Sequence, residues 1–178
     1  MAIPALITAR RDSVRVPFKN RETVGGTALW LRAVWFARAN GLRAIVDSDD
    51  EHIICECWRL GVEAHQRFLP PEAQGGTHWQ AIEAACRDLR LDSFVLLQPT
   101  SPFRSAAVLT FCVDAFDGRR PVLTCSTPGR WDGNIAVHAF PLSPAPPVFV
   151  RNPFAYSLQV DTPEDLAEAR EAARWMPC

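Results

Sequence analysis

Apolar and polar positions along the chain switch repeatedly between a strand-like and a helix-like pattern, and the switches set out the elements in order. The apolar run around Leu6 and Ile7 predicts a first buried strand, which gives way abruptly to a polar loop that runs on through Pro17 to Asn20. Gly25 and Gly26 mark a turn. Leu29, Leu31, Val34, Trp35 and Ala39 then fall at helical spacing over residues 28–38, with Asn40 and Gly41 as the stop. A second strand is expected over 42–46. Its exit loop, Asp47-Ser48-Asp49-Asp50-Glu51, leads into a helix that runs to about Leu60, with Ser48 or Asp49 as the cap and carboxylates in the first turn. After a short strand at 62–64, residues 68–77 carry two prolines and two glycines and read as a connection.

Ile82, Ala85, Cys86 and Leu89 share one face of a third helix, and the continuous apolar run at 93–97 is what a central parallel strand requires. A loop pinned by Pro99 and Pro102 follows. Next come a helix over 106–116, a buried strand over 121–125 and a β-rich stretch at 133–138. The Pro-rich segment 141–147 is neither helix nor central strand. A last strand is expected over 157–161, and Thr162, Pro163 and Asp165 form the N-cap, N1 and N3 positions of the final helix. Strands alternating with helices define an α/β protein with a mainly parallel sheet. Its loops at residues 8–20, 47–51, 98–104 and 159–162 then converge on one edge.

With 178 residues, the chain is expected to form a single domain with one substantial core. A charged fraction of 22% and a net charge of −1 give no global attraction to nucleic acid or to anionic membranes. No apolar run reaches spanning length and the first residues lack a charged leader, so a cytoplasmic location is expected. The six cysteines show no C-x-x-C spacing and read as reduced, mostly buried thiols. The four histidines show no metal-motif spacing and read as surface or packing residues. Asp49, Asp50 and Glu51 read as capping residues rather than metal ligands.

Candidate chemistry concentrates in the first loop. Arg10, Arg11, Arg15 and Lys19 fall within ten positions, and Lys19 is the only lysine among 19 basic residues. Clustered guanidinium and ammonium groups at the C-terminal end of a parallel strand suit a polyphosphate, although a solvated basic loop has the same composition.

Four of the loops together resemble one family. The pattern Ala9-Arg10-x-x-Ser13-x-x-Val16-Pro17-x-Lys19-Asn20 is similar to the opening motif of sugar-acid cytidylyltransferases, the enzymes that make CMP-sialic and CMP-pseudaminic acids. Asp47-Ser48-Asp49-Asp50-Glu51-His52-Ile53 looks like their second-strand motif, and Leu97-Gln98-Pro99-Thr100-Ser101-Pro102-Phe103-Arg104 like their mid-chain motif. Val160-Asp161-Thr162-Pro163-Glu164-Asp165-Leu166 resembles the C-terminal one. The resemblance covers most of the chain apart from roughly residues 126–156.

The resemblance implies a three-layer α/β/α Rossmann-like nucleotidyltransferase in which the anomeric hydroxyl of a sugar acid attacks the α-phosphate of CTP and releases pyrophosphate. It implies that Arg10 and Lys19 hold the triphosphate, that Thr8, Ala9, Ser13, Arg15 and Asn20 line the nucleotide, and that Gln98 faces the reacting groups. Asp161 would ligate Mg²⁺, and a homodimer is the expected assembly. Catalysis of this kind is mainly positioning and electrostatics.

The departures from the family pattern have consequences. Asp12-Ser13-Val14 stands where Gly-Ser-Lys is usual, which removes a cation and the glycine, and Arg11 and Arg15 are placed to compensate. Gln159-Val160-Asp161 stands where Asp-x-Asp is usual, so a weaker Mg²⁺ site is expected, strengthened by Gln159→Asp. The segment between Thr127 and Asp132 is shortened, and in relatives it crosses the dimer to the sugar acid. Two other readings are therefore open, a catalytically weakened nucleotide-binding or interaction module and a related nucleotide-sugar transferase with a different acceptor.

Overall fold

Seven strands share one sheet in the order β5-β4-β1-β6-β8-β7-β9. The computed structural model describes residues 3–67, 78–153 and 156–176. The expected connection at 68–77 lies outside them. The strands are β1 Ala5–Thr8, β4 Ala44–Ser48, β5 Glu63–Gln66, β6 Ser93–Leu97, β7 Val122–Cys125, β8 Ile135–Ala139 and β9 Val148–Arg151. β8 alone runs antiparallel to its neighbours, so the sheet is mainly parallel, as expected. A separate hairpin, β2 Thr23–Val24 and β3 Thr27–Ala28, turns through Gly25 and Gly26, both at positive φ.

Successive strand residues point to opposite faces, and that alternation divides the core. Ile7, Val46, Val95, Leu97 and Val137 meet helices α1 Leu29–Ala39, α2 Glu51–Arg59 and α4 Ala106–Asp114. Leu6, Ile45, Phe94, Leu96 and Ala136 meet α3 His78–Asp88 on the other face. A third cluster, with Val16, Val24, Leu29, Phe103, Val160 and Leu166, lies beneath the loops and includes one side of α5 Pro163–Ala172. Because this cluster is apolar, the loop edge rests on packed side chains rather than standing free in solvent.

Four local expectations change. Residues 157–161 are extended but belong to no strand; Val160 N–H donates instead to Thr100 O at 2.7 Å. The place beside β7 is filled by β9, which follows the Pro-rich segment and pairs in parallel register from Val122↔Val148. β4 continues through Asp47 and Ser48, so the cap of α2 moves to Asp50, whose carboxylate accepts from His52 N at 3.0 Å. The first loop contains a 3-10 turn, Lys19–Arg21, entered through Phe18 at φ 50°. The final helix begins as expected, with the reciprocal Thr162 and Asp165 capping box.

Candidate functional site

β1 and β6 are adjacent and parallel, pairing Ala5 with Val95 and Leu6 with Leu96, so the loops that follow them leave the same edge of the sheet. Main-chain and side-chain bonds then tie the four loops together. Ala9 N–H donates to Asp47 O at 2.9 Å, and Ser48 Oγ donates to Ala9 O at 2.6 Å. Both main-chain groups of Ala9 are therefore used within the fold. Arg11 N–H donates to Asp49 Oδ1 at 2.7 Å, while Asn20, itself buried, donates to Arg10 O at 2.8 Å. The loop's path is thus set by bonds that leave the side chains of Arg10, Arg11 and Arg15 exposed.

Lys19 Nζ lies 2.9 Å from Asp161 Oδ1, a contact between residues 142 positions apart that joins the first loop to the last. Lys19 is mostly buried and Asp161 is 43% exposed. Arg10 and Arg15 are exposed, and neither forms an ion pair among the described residues. Ser13 is half-buried, whereas Val14 is 93% exposed. Thr8 Oγ1 is buried and makes no hydrogen bond among the described residues.

Gln98 follows β6, and its amide Nε2 is 3.3 Å from His78 Nε2. Burial holds the His78 pKa below the usual histidine range, Arg67 and Arg10 push the same way, and Asp47 opposes them. The Gln98 amide and the His78 ring thus face each other across the edge of the site. No residue spacing marks His78, which opens α3 on the far side of residues 68–77. Nor does any spacing show that Arg67 pairs with the fully buried Asp47, which also accepts from His65 Nδ1 at 2.9 Å. Arg21 pairs with Asp50, and Arg21 Nε donates to Asp50 Oδ2 at 2.7 Å. Burial raises the Asp50 pKa, but the Arg21 bonds outweigh it and hold the carboxyl below its ordinary value.

Gln159 is committed elsewhere. Its Nε2 donates to Asp132 O, and its amide lies over Gly133, where a Cβ would fall 1.7 Å from Nε2. Gly133 also has φ +73°, so a side chain is disfavoured twice. An aspartate at 159 would remove this donor from the Asp132 carbonyl. Beside Gln159 is a cavity of about 230 Å³ lined by Ser126, Arg130, Trp131 and Ser157. The segment between Thr127 and Asp132 contains a tight turn, with a bridge between Thr127 and Arg130.

Among the described residues no three His, Cys, Asp or Glu side chains form a metal-binding group. Asp161 offers one carboxylate whose Oδ1 faces Lys19. That donor set fits Mg²⁺ that brings phosphate and water as its other ligands, since this ion is commonly held by one or two carboxylates. No described helix is long and apolar enough to cross a membrane.

The fold, a mainly parallel seven-stranded sheet flanked by helices, is similar to that of solved nucleotidyltransferases. A cytidylyltransferase from Leptospira borgpetersenii has TM-score 0.75 and 17% identity, covering 100% of this chain and 89% of that one. CMP:2-keto-3-deoxy-manno-octonic acid synthetase complexed with CTP gives 0.69 at 14% identity, covering 98% and 99%. HddC from Yersinia pseudotuberculosis, complexed with GMP-PN, gives 0.70 at 12% identity, covering 95% and 98%. No protein-family model and no curated protein matches the chain in sequence.

Proposed function

We propose that this chain is a nucleotidyltransferase that transfers CMP from CTP to the anomeric hydroxyl of a sugar acid and releases pyrophosphate. The observation that carries the reading is the Lys19 and Asp161 contact at 2.9 Å, which joins the first loop, where Arg10 forms no ion pair among the described residues, to an edge tied to the β6 loop through Val160 and Thr100. Arg10 and Arg15 meet the incoming triphosphate. Lys19 turns from Asp161 to a phosphate oxygen, which frees the carboxylate as the anion arrives. Bound with the nucleotide, Mg²⁺ supplies neutralisation of the charge that builds on the leaving pyrophosphate. Gln98, oriented by His78, faces the reacting groups, and Thr8, Ser13, Asn20 and the backbone around Ala9 shape the nucleotide side. The cavity at Arg130, Trp131 and Ser157 takes the acceptor, with Arg130 as a counter-ion for its carboxylate. On this reading residues 1–178 form one domain with a shortened segment at 126–156.

CTP is favoured by the motif resemblance and by the two fold relatives concerned with cytidylyl transfer, while the GMP-PN complex of a third shows that the fold admits another base. Pyrophosphate release from CTP and Mg²⁺ with a panel of 3-deoxy-2-ulosonic acids tests the proposal. Acceptor-dependent release that falls about a hundredfold in Asp161→Asn is expected, and absence of release with every acceptor and nucleotide counts against it. A second reading, a nucleotide-binding module without turnover, is favoured by the Gln159 amide being locked on Asp132 O. Saturable CTP binding without pyrophosphate release would select it.

A further inference from the structure

Behind the β6 loop, between α1 and the start of α4, lies a second cavity of about 390 Å³. None of Arg10, Lys19, Gln98 and Asp161 lines it. Its walls are largely aromatic, formed by Trp35, Phe36, Phe103 and Tyr156 with Met176. Into this apolar setting the chain places Arg104. The Arg104 guanidinium donates through Nε to Asn134 O at 3.4 Å and through Nη2 to Gln98 O, and it lies 5.9 Å from the Phe36 ring centroid. Both acceptors are neutral carbonyls, and Arg104 forms no ion pair among the described residues.

A guanidinium has five N–H donors, so roughly three remain on its Nη edge after these bonds. Burial pushes the Arg104 pKa down to about 9, and the nearby Arg32 adds to the shift. A cation held among aromatic rings without a carboxylate is costly, and an arriving anion relieves that cost. Volumes of roughly 300–1,000 Å³ with mainly apolar walls and a few fixed polar groups are typical of small-molecule sites.

We propose that this cavity binds a small monocarboxylate with a flat apolar body, its carboxylate on the Nη edge of Arg104 and its body against Trp35, Phe36 and Phe103. The planar fork of arginine matches a carboxylate through two parallel bonds, and the rings accept a flat hydrophobic surface. Arg32 also reaches the wall, but its guanidinium donates to Pro102 O and Val24 O, so the mainly apolar cavity favours one weakly hydrated negative charge at Arg104 over a phosphate dianion. The site is independent of nucleotide transfer. It adjoins the proposed active-site loop from behind, because the same guanidinium holds the Gln98 carbonyl.

The test is titration of 1-naphthoate into the full chain, followed by calorimetry and by tryptophan fluorescence, with 1-naphthamide as the neutral isostere. Saturable one-site binding is expected with Kd below about 1 mM and at least about tenfold tighter for the acid. Ala106→Trp, which fills the cavity from an exposed position at the start of α4, abolishes binding with the melting temperature maintained. Arg104→Met brings naphthoate down to the level of the amide. The proposal is overturned by no saturable binding, by equal affinity for acid and amide, or by naphthoate binding that persists in Ala106→Trp.

Discussion

On the β1 and β6 side of the loop edge, Arg10 and Arg15 form no ion pair among the described residues and Lys19 has Asp161 at 2.9 Å. On the β7 and β8 side, one carboxylate is saturated. Asp132 accepts from Thr124 Oγ1, from Asn134 N at 3.1 Å and from Asn152 Nδ2 at 2.8 Å, and its carbonyl takes the Gln159 amide. Asn134 in turn holds Phe103 O at 2.8 Å and Tyr156 O at 2.6 Å. The first side keeps Arg10 and Arg15 exposed to solvent and Lys19 on a half-exposed carboxylate, whereas the second spends its polar groups on holding three distant segments together. Substitutions on the first side should therefore act on ligand and turnover, and those on the second on folding.

The largest effect that sharpens this contrast is expected at Lys19. Lys19→Met should lower turnover with CTP by about a thousandfold through loss of phosphate stabilisation. It should change unfolding free energy by no more than about 1 kcal/mol, because its partner is partly solvated. A comparable loss in both would erase the distinction between the two sides.

Asp132→Ala is the reverse case. It removes the acceptor of the Asn134 N–H and one acceptor each of the buried Thr124 and Asn152, which keep Ile135 O and Tyr156 O, and urea denaturation should show a loss of about 3 kcal/mol. CTP binding by the fraction that remains folded should be unchanged. Gln159→Asp is expected to cost about 1 kcal/mol through loss of the donor to Asp132 O, with no gain in Mg²⁺ binding in the absence of nucleotide. Tighter Mg²⁺ binding by the free protein would show that position 159 belongs to the first side instead.

The smallest effect lies beside the first of the two sides, where His65 bridges Asp47 and Asp88. The Asp47 bond raises the His65 pKa above its ordinary value, against the opposing effect of burial. A raised folded-state pKa means that the stabilisation is fully present below the unfolded value near 6.5 and is lost as pH climbs through the folded one. Thermal melts from pH 6 to 8 should therefore show a falling difference between the protein and His65→Gln. A difference that grows with pH contradicts this assignment.

Much of this contrast was legible only where it is local. The buried runs at β1 and β6 and the Thr162 cap could be read because burial on both faces and capping each leave a mark within a few residues. Residues 157–161 carry the alternation of a strand, but alternation does not show which place in the sheet is vacant, and β9 takes it. The cap of α2 moved to Asp50 because β4 extends to Ser48, a matter of pairing with β1 that the helix sequence cannot report. Lys19 and Asp161 were placed in one site by motif resemblance, yet no spacing rule predicts a contact across 142 positions. The Asp132 network escaped altogether, since it needs partners from β7, the start of β8 and the end of β9 at once.

The central claim is that the open cationic edge receives a nucleoside triphosphate, and calorimetric titration of CTP with Mg²⁺ into the protein and into Lys19→Met tests it most directly. The account predicts one saturable site for the protein, strongest for CTP among the four common triphosphates, and affinity reduced at least about tenfold in Lys19→Met. Absence of heat with any triphosphate, or equal affinity in the two proteins, would contradict it.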